Sequence, residues 1–278
     1  MNLFQPLGVA SWAWRSALAS VFRPWIWVPF LIVAGVKLAL LLVLVFFHQG
    51  AVLPVGLPLV KLLGGDAATH YPIFFYALPT MASRANLVVD ILVASIAGGA
   101  ATMLFARASG FADTHKAWGW AWRCAPTLIP VNILVVGVLF GITALGNLVP
   151  KDLVLQNATV RWGLRGGTLL LFILVQSLVV YTTAWVVLIG HKIGPAFRDS
   201  IRVTLRTFLP TALVVALPAV LLFPLSYIGS RTDLIASKFR PEVIVGVLCA
   251  QLVVEILATF LLVGAITRLF LWRTEAAR

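Results

Sequence analysis

The chain has 278 residues, of which 61% are hydrophobic and 11% charged, with 21 Lys and Arg against nine Asp and Glu and a formal net charge of +12. An ordinary soluble domain carries roughly 25% charged residues, and most of the long stretches here are apolar all round, so a water-soluble fold is excluded. The basic excess does not point to nucleic acid: the cations gather at the ends of apolar stretches, where they meet anionic headgroups, and no basic groove with interleaved aromatics is left.

The N-terminal segment MNLFQPLGVASWAWRSALAS lacks the charged start, short apolar run and small-residue cleavage site of a secretory signal, and is expected to stay on. Trp14, Leu18, Phe22 and Trp25 fall at i, i+4, i+8 and i+11, with Arg15 and Arg23 on the adjoining face. That spacing predicts an amphipathic helix lying in the headgroup plane. The first membrane span is IWVPFLIVAGVKLALLLVLVFF, residues 26–47, which at 1.5 Å per residue reaches about 33 Å. Residues 48–86 are too apolar for a solvated loop and too often broken by Pro and Gly for a span. They are expected to form one or two short interfacial or re-entrant pieces over the outer mouth.

A second span follows at 87–106, where the small-residue pairs Ala94/Gly98 and Ser95/Gly99 suit close helix packing inside the bundle or at a dimer face. Residues 107–125 form a basic, Trp-rich connection in which Trp118, Trp122 and Arg123 act as interfacial anchors. The third span is expected at 127–148 and the fourth at 168–189, joined by an outer connection carrying Lys151, Asp152, Arg161 and Arg165. Asn157-Ala158-Thr159 matches a glycosylation acceptor, a triplet that is common by chance.

HKIGPAFRDSIRVTLRTFLP, from His191, is the clearest amphipathic segment. Phe197, Ile201, Leu205 and Phe208 repeat the first apolar stripe, and Arg198, Arg202 and Arg206 occupy its basic strip, at a constant offset of 183 residues. A fifth span at 211–228, kinked by Pro218 and Pro224, and a sixth at about 243–272 complete the chain. The expected fold is all-α: a single polytopic membrane domain of six transmembrane helices in three hairpins, each preceded by a cytoplasmic amphipathic interfacial helix. The pseudo-repeats are 12–107, 113–190 and 195–272.

Of the 21 basic residues, twelve lie in segments that share one side, eight on the opposite side, and Lys37 is within a span. The positive-inside rule therefore places both termini in the cytoplasm. The arginines 15, 23, 123, 198, 202 and 206 are then the expected contacts to anionic headgroups on the cytoplasmic side.

Lys37 and Glu255 sit midway along the first and last spans. A lone lysine there costs about 2.5–3.5 kcal/mol on insertion scales, so it needs a partner at its own depth. Glu255 is that expected partner, with Gln251, Thr259, Gln176, Ser177 and Ser95 as a supporting polar layer. The pair either fixes the docking of two helices or lines a proton or solute path. Asp90 is read as interfacial, one turn inside the outer end of its span. No metalloprotease, nucleophile-elbow or P-loop motif is present, and no two carboxylates are expected at one depth. Cys124 and Cys249 lie toward opposite faces, and the four histidines stand singly, so no disulfide, metal or other cofactor is expected.

The run Ala196-Phe197-Arg198-Asp199-Ser200-Ile201-Arg202-Val203-Thr204, with Phe208 downstream, resembles the six-span bacterial families grouped with the membrane domain of glycerophosphodiester phosphodiesterase and the YciC-like inner-membrane proteins. Those families place a similar basic amphipathic helix before a hairpin of spans. The resemblance implies an integral inner-membrane protein. The phosphodiesterase domain of some relatives has no counterpart here, so that activity does not carry over. A second likeness, to the permease subunit of an ATP-binding-cassette importer, rests on Leu209-Pro210 alone, because the acidic start and central Gly of that signature are missing. The expected function is a non-enzymatic accessory or scaffold component of a membrane process, with protein partners in a membrane complex. The alternative is a transporter or permease subunit working through Lys37 and Glu255.

Overall fold

A computed structural model describes residues 5–111, 116–146, 157–229 and 242–275, in which helices are joined by turns and no strand occurs. The helices are α1 (Gln5–Ala19), α2 (Pro24–Val45), α3 (Leu53–Gly64), α4 (Ile73–Val89), α5 (Ser95–Ala108), α6 (Ala117–Gly146), α7 (Ala158–Val179), α8 (Ile193–Arg206), α9 (Phe208–Gly229) and α10 (Val243–Glu275). A π-helical turn, Asp90–Ala94, links α4 to α5, and a second, Trp185–Ile189, follows α7. Among the described residues, six helical stretches are long and apolar enough to cross a membrane: Pro24–Val45, Ile73–Ala108, Ala117–Ile142, Trp162–Ile189, Phe208–Leu225 and Val243–Thr274. The chain is a multi-pass membrane protein.

Two of these boundaries change the sequence reading. The second span starts at Ile73, fourteen residues before the expected start at Leu87. Phe74, Leu78, Met81, Ala82, Ala85 and Val89 are buried along one face of α4 at helical spacing, and this face carries the helix through Pro79. The stretch expected to be interfacial or re-entrant is correspondingly shorter, and holds α3 and a short 3₁₀ turn, Asp66–Thr69. In the middle of the chain α6 runs unbroken from Ala117, so Trp118, Trp122 and Arg123 belong to the first turns of a span and not to a separate interfacial helix. The stretches 147–156 and 230–241, with Lys151, Asp152, Arg231, Lys238 and Arg240, lie outside the described residues, as do His115 and Arg278.

The chain divides into two compact units. One comprises Met1–Trp27, Ser95–Ala219 and Leu261–Arg278; the other comprises Val28–Ala94 and Val220–Phe260. In the first unit α1 turns its small residues inward. Ala10, Ala13 and Ala17 are buried with Ala106, Val214, Ala265 and Phe270, leaving Leu7, Trp12 and Leu18 exposed, as is Phe22 in the 3₁₀ turn that follows. The approach is close at Gly264, where an added Cβ would stand 2.8 Å from Phe105 Cε1 and 3.0 Å from Ala17 Cβ. α5 meets α6 through Gly99, whose added Cβ would lie 2.9 Å from Leu128, whereas Gly98 has nothing within 4 Å. Of the two small-residue pairs, only Ser95/Gly99 therefore uses its small size for close packing.

α8 is held against the end of α7 by its third face. Ala196, Ser200 and Thr204, spaced by four residues, are fully buried. Ser200 Oγ donates to the Leu178 carbonyl at 2.8 Å, and Thr204 Oγ1 donates to the Ser177 carbonyl at 2.7 Å. These are carbonyls of the last turn of α7, which a helix terminus leaves without intrahelical donors. At the other end of α7 Asn157 is an N-cap, its Oδ1 accepting from the Thr159 and Val160 amides at 3.0 and 3.4 Å.

In the second unit α3 folds back on α2, where an added Cβ on Gly56 would lie 2.7 Å from Phe47 Cβ. Val60 then joins Leu44, Phe47, Phe74, Leu78 and Met81 in one buried cluster.

Candidate functional site

Three helical segments of the second unit bring three charged side chains to one point. α2 is uniformly apolar except for Lys37, whose side chain is only 3% exposed. Its Nζ lies 2.5 Å from Glu255 Oε1 on α10 and 2.7 Å from Asp90 Oδ1 at the head of the first π turn. One ammonium therefore serves two carboxylates, which keep 31% (Glu255) and 40% (Asp90) of their side-chain surface exposed. The three residues stand near the middle of the spans Pro24–Val45, Ile73–Ala108 and Val243–Thr274.

The expected partners Lys37 and Glu255 meet, but the reading of Asp90 as interfacial does not hold. Extending the span back to Ile73 moves Asp90 from near a helix end to the centre of a 36-residue helical stretch. The expectation that no two carboxylates share a depth fails with it. The available signal was the helical spacing of Phe74, Leu78, Met81 and Ala85, which continues into Asp90 without a break.

The supporting residues divide. Gln251, half-buried, and Thr259, exposed, flank Glu255 on α10. Ser95, Gln176 and Ser177 belong to the first unit. There Ser95 Oγ accepts from Asn132 Nδ2 at 2.8 Å, a contact between α5 and α6 that the sequence reading missed. Ser177 is fully buried, its hydroxyl donating to the Ile173 carbonyl at 2.6 Å. A second buried polar contact, also unforeseen, joins Tyr181 Oη to Thr211 Oγ1 at 2.8 Å.

The arginines expected at the headgroups, Arg15, Arg23, Arg123, Arg198, Arg202 and Arg206, are all exposed. Arg23 Nη1 donates to the Ala108 carbonyl at 3.3 Å, joining the start of the first span to the end of the second. On α8, Ile201, Leu205 and the following Phe208 are also exposed, so the outer surface of this helix carries an apolar strip beside a basic one. Asp199, on the same helix, lies 3.3 Å from His191 Nδ1, and the His191 ring stacks on Trp185 with centroids 4.9 Å apart. Trp120 donates its indole N–H to the Val187 carbonyl of the second π turn at 2.8 Å.

No family model, curated protein or solved structure matches this chain. The chain is a helical, multi-pass membrane protein, and its reading rests on its own geometry.

Proposed function

We propose that the chain is a non-enzymatic transport or permease component of a bacterial inner membrane, with Lys37, Asp90 and Glu255 as its working group. The observation that carries this reading is the second carboxylate. A purely structural tie between α2 and α10 is complete with Lys37 and Glu255; Asp90 adds an ionisable group at a π turn, an irregularity that recurs at functional sites. Ionisable groups at mid-membrane depth are costly, and they mark proton or solute paths in membrane proteins.

Cytoplasmic termini and three hairpins fit this reading. Residues from α1, the end of α5, the region after α7, the start of α9 and the end of α10 fall in one buried cluster. These are segments that the basic-residue bias assigns to a single side.

The test is purified protein in liposomes loaded with a pH-sensitive dye, under an imposed membrane potential. Proton movement with the wild type, lost in Asp90→Asn and Glu255→Gln variants that remain folded, is the expected result. Folded wild-type protein that moves no protons sinks the transport reading.

In that case the second reading stands, an accessory or scaffold component of a membrane complex. The observation favouring it is the outer surface of α8, where Arg198, Arg202 and Arg206 adjoin exposed Ile201, Leu205 and Phe208. That combination suits anionic headgroups and the apolar layer beneath them. The same helix carries the likeness to the six-span families named above.

A further inference from the structure

We propose that the Lys37–Asp90–Glu255 cluster holds one exchangeable proton shared between its two carboxyl groups, making it a proton-binding site at the centre of the membrane. The inference deepens the transport reading by naming the coupling ion, and rests on that reading only for the purpose the proton serves.

The argument begins with charge. With all three groups ionised, the cluster carries one cation and two anions, a net single negative charge. Hydrocarbon offers no counter-ion and little dielectric screening for it. Two carboxylates on the same ammonium also repel each other, which favours retention of a proton by one of them. A proton on either acid makes the cluster neutral, and the short contacts to Lys37 Nζ give each carboxyl a partner when it is the ionised one. The ammonium already occupies the point between the two carboxylates, so a metal cation bound there would have to lie against a like charge.

Among the described residues, other charges of the unit are placed elsewhere. Lys61 pairs with Asp66 at 3.0 Å, Arg84 donates to the Leu63 carbonyl, and Glu242 stands thirteen residues before Glu255, roughly 20 Å along the helix. α2 carries Lys37 as its sole ionisable side chain, and α9 has no Asp, Glu, Lys, Arg or His. Asp90 and Glu255 keep 40% and 31% of their side-chain surface uncovered by the protein, while Lys37 is sealed.

The experiment is infrared spectroscopy of the full chain in lipid bilayers at neutral pH, in ordinary and heavy water. The wild type is expected to show the carbonyl stretch of a protonated carboxylic acid, shifted in heavy water. Asp90→Asn and Glu255→Gln should each abolish it, because either variant leaves Lys37 with one acid in a neutral pair. Lys37→Met, where it folds, should roughly double the band. Absence of the band in the wild type overturns the proposal, as does its survival in either single-acid variant or its disappearance on adding sodium chloride. Because this measurement needs no flux, a band without proton movement separates failure of the transport reading from failure of this one.

Discussion

Asp90 Oδ1 lies 2.7 Å from Lys37 Nζ, although the two residues come from different spans and Asp90 sits where a π turn interrupts an otherwise continuous helix. Lys37 thereby becomes the shared counter-ion of two acids, and removing it differs in kind from removing either acid. Lys37→Met strands both carboxylates, and loss of one partner from a buried charge pair costs about 3–5 kcal/mol. Asp90→Asn leaves the Lys37–Glu255 contact in place and should cost much less. Thermal unfolding in detergent, followed by tryptophan fluorescence, should rank Lys37→Met well below Asp90→Asn. Adding Asp90→Asn and Glu255→Gln to Lys37→Met should recover most of the loss. A Lys37→Met protein that melts with the wild type rules out the ammonium as the group holding these helices together.

Two glycines of the first unit should respond in opposite directions. Gly264 faces Phe105 and Ala17 at distances too short for a Cβ, so Gly264→Ala forces a shift in the first unit and should cost about 1–3 kcal/mol. Gly98 has open space around it, and Gly98→Ala gains helix propensity, an effect of about 0.5–1 kcal/mol. The unfolding midpoints of the two variants should therefore fall on opposite sides of the wild type.

Span existence was legible because it depends on length and apolarity alone, and α2 and α10 are apolar over the necessary distance. The meeting of Lys37 with Glu255 was legible for a related reason: a cation at that depth requires an anion at the same depth. Asp90 was misplaced because Pro79 and the preceding aromatic run read as a broken segment, whereas a buried helical face carries α4 through the proline. The inward face of α8 was hidden by its composition. Ala196, Ser200 and Thr204 are small and partly polar, so the larger Phe197, Ile201 and Leu205 set the apparent apolar stripe, yet the small residues are the ones that pack. What they pack against is the end of α7 at Val179, followed by the unbroken run VYTTAWVV, in which no Gly or Pro marks a stop.

That inward face makes its own prediction. Ser200→Ala and Thr204→Val each leave a carbonyl of the α7 terminus without its side-chain donor, at about 1–3 kcal/mol apiece. The two contacts brace one helix end, so the double variant should cost less than the sum of the singles. Hydrogen exchange would localise the effect: amides of the segment 177–184 should lose protection in both variants while those of α2 keep theirs. Uniform loss across the chain contradicts a local brace.

Asn132 and Ser95 make a contact between α5 and α6 at 2.8 Å. Polar side-chain bonds between membrane helices average about 0.6 kcal/mol in double-mutant cycles. The cycle of Asn132→Leu and Ser95→Ala should return a coupling of about that size, read from unfolding midpoints. Gly99 supports the same interface by packing alone, so the helices should stay together in the double variant. A coupling indistinguishable from zero removes this contact from the forces holding the pair.

Arg198, Arg202 and Arg206 are exposed on α8, whereas the contacts holding that helix run through Ala196, Ser200 and Thr204. Replacing the three arginines with glutamine should leave stability in zwitterionic nanodiscs unchanged. In nanodiscs containing anionic lipid the wild type should melt higher, since each cation near such a surface contributes about 1 kcal/mol and lipid bound to the folded state stabilises it. The triple variant should lose that increment, and high salt should erase it in the wild type by screening. An increment that persists in the triple variant moves the lipid contact to another basic cluster, with Arg15, Arg23 and Arg123 next to be replaced.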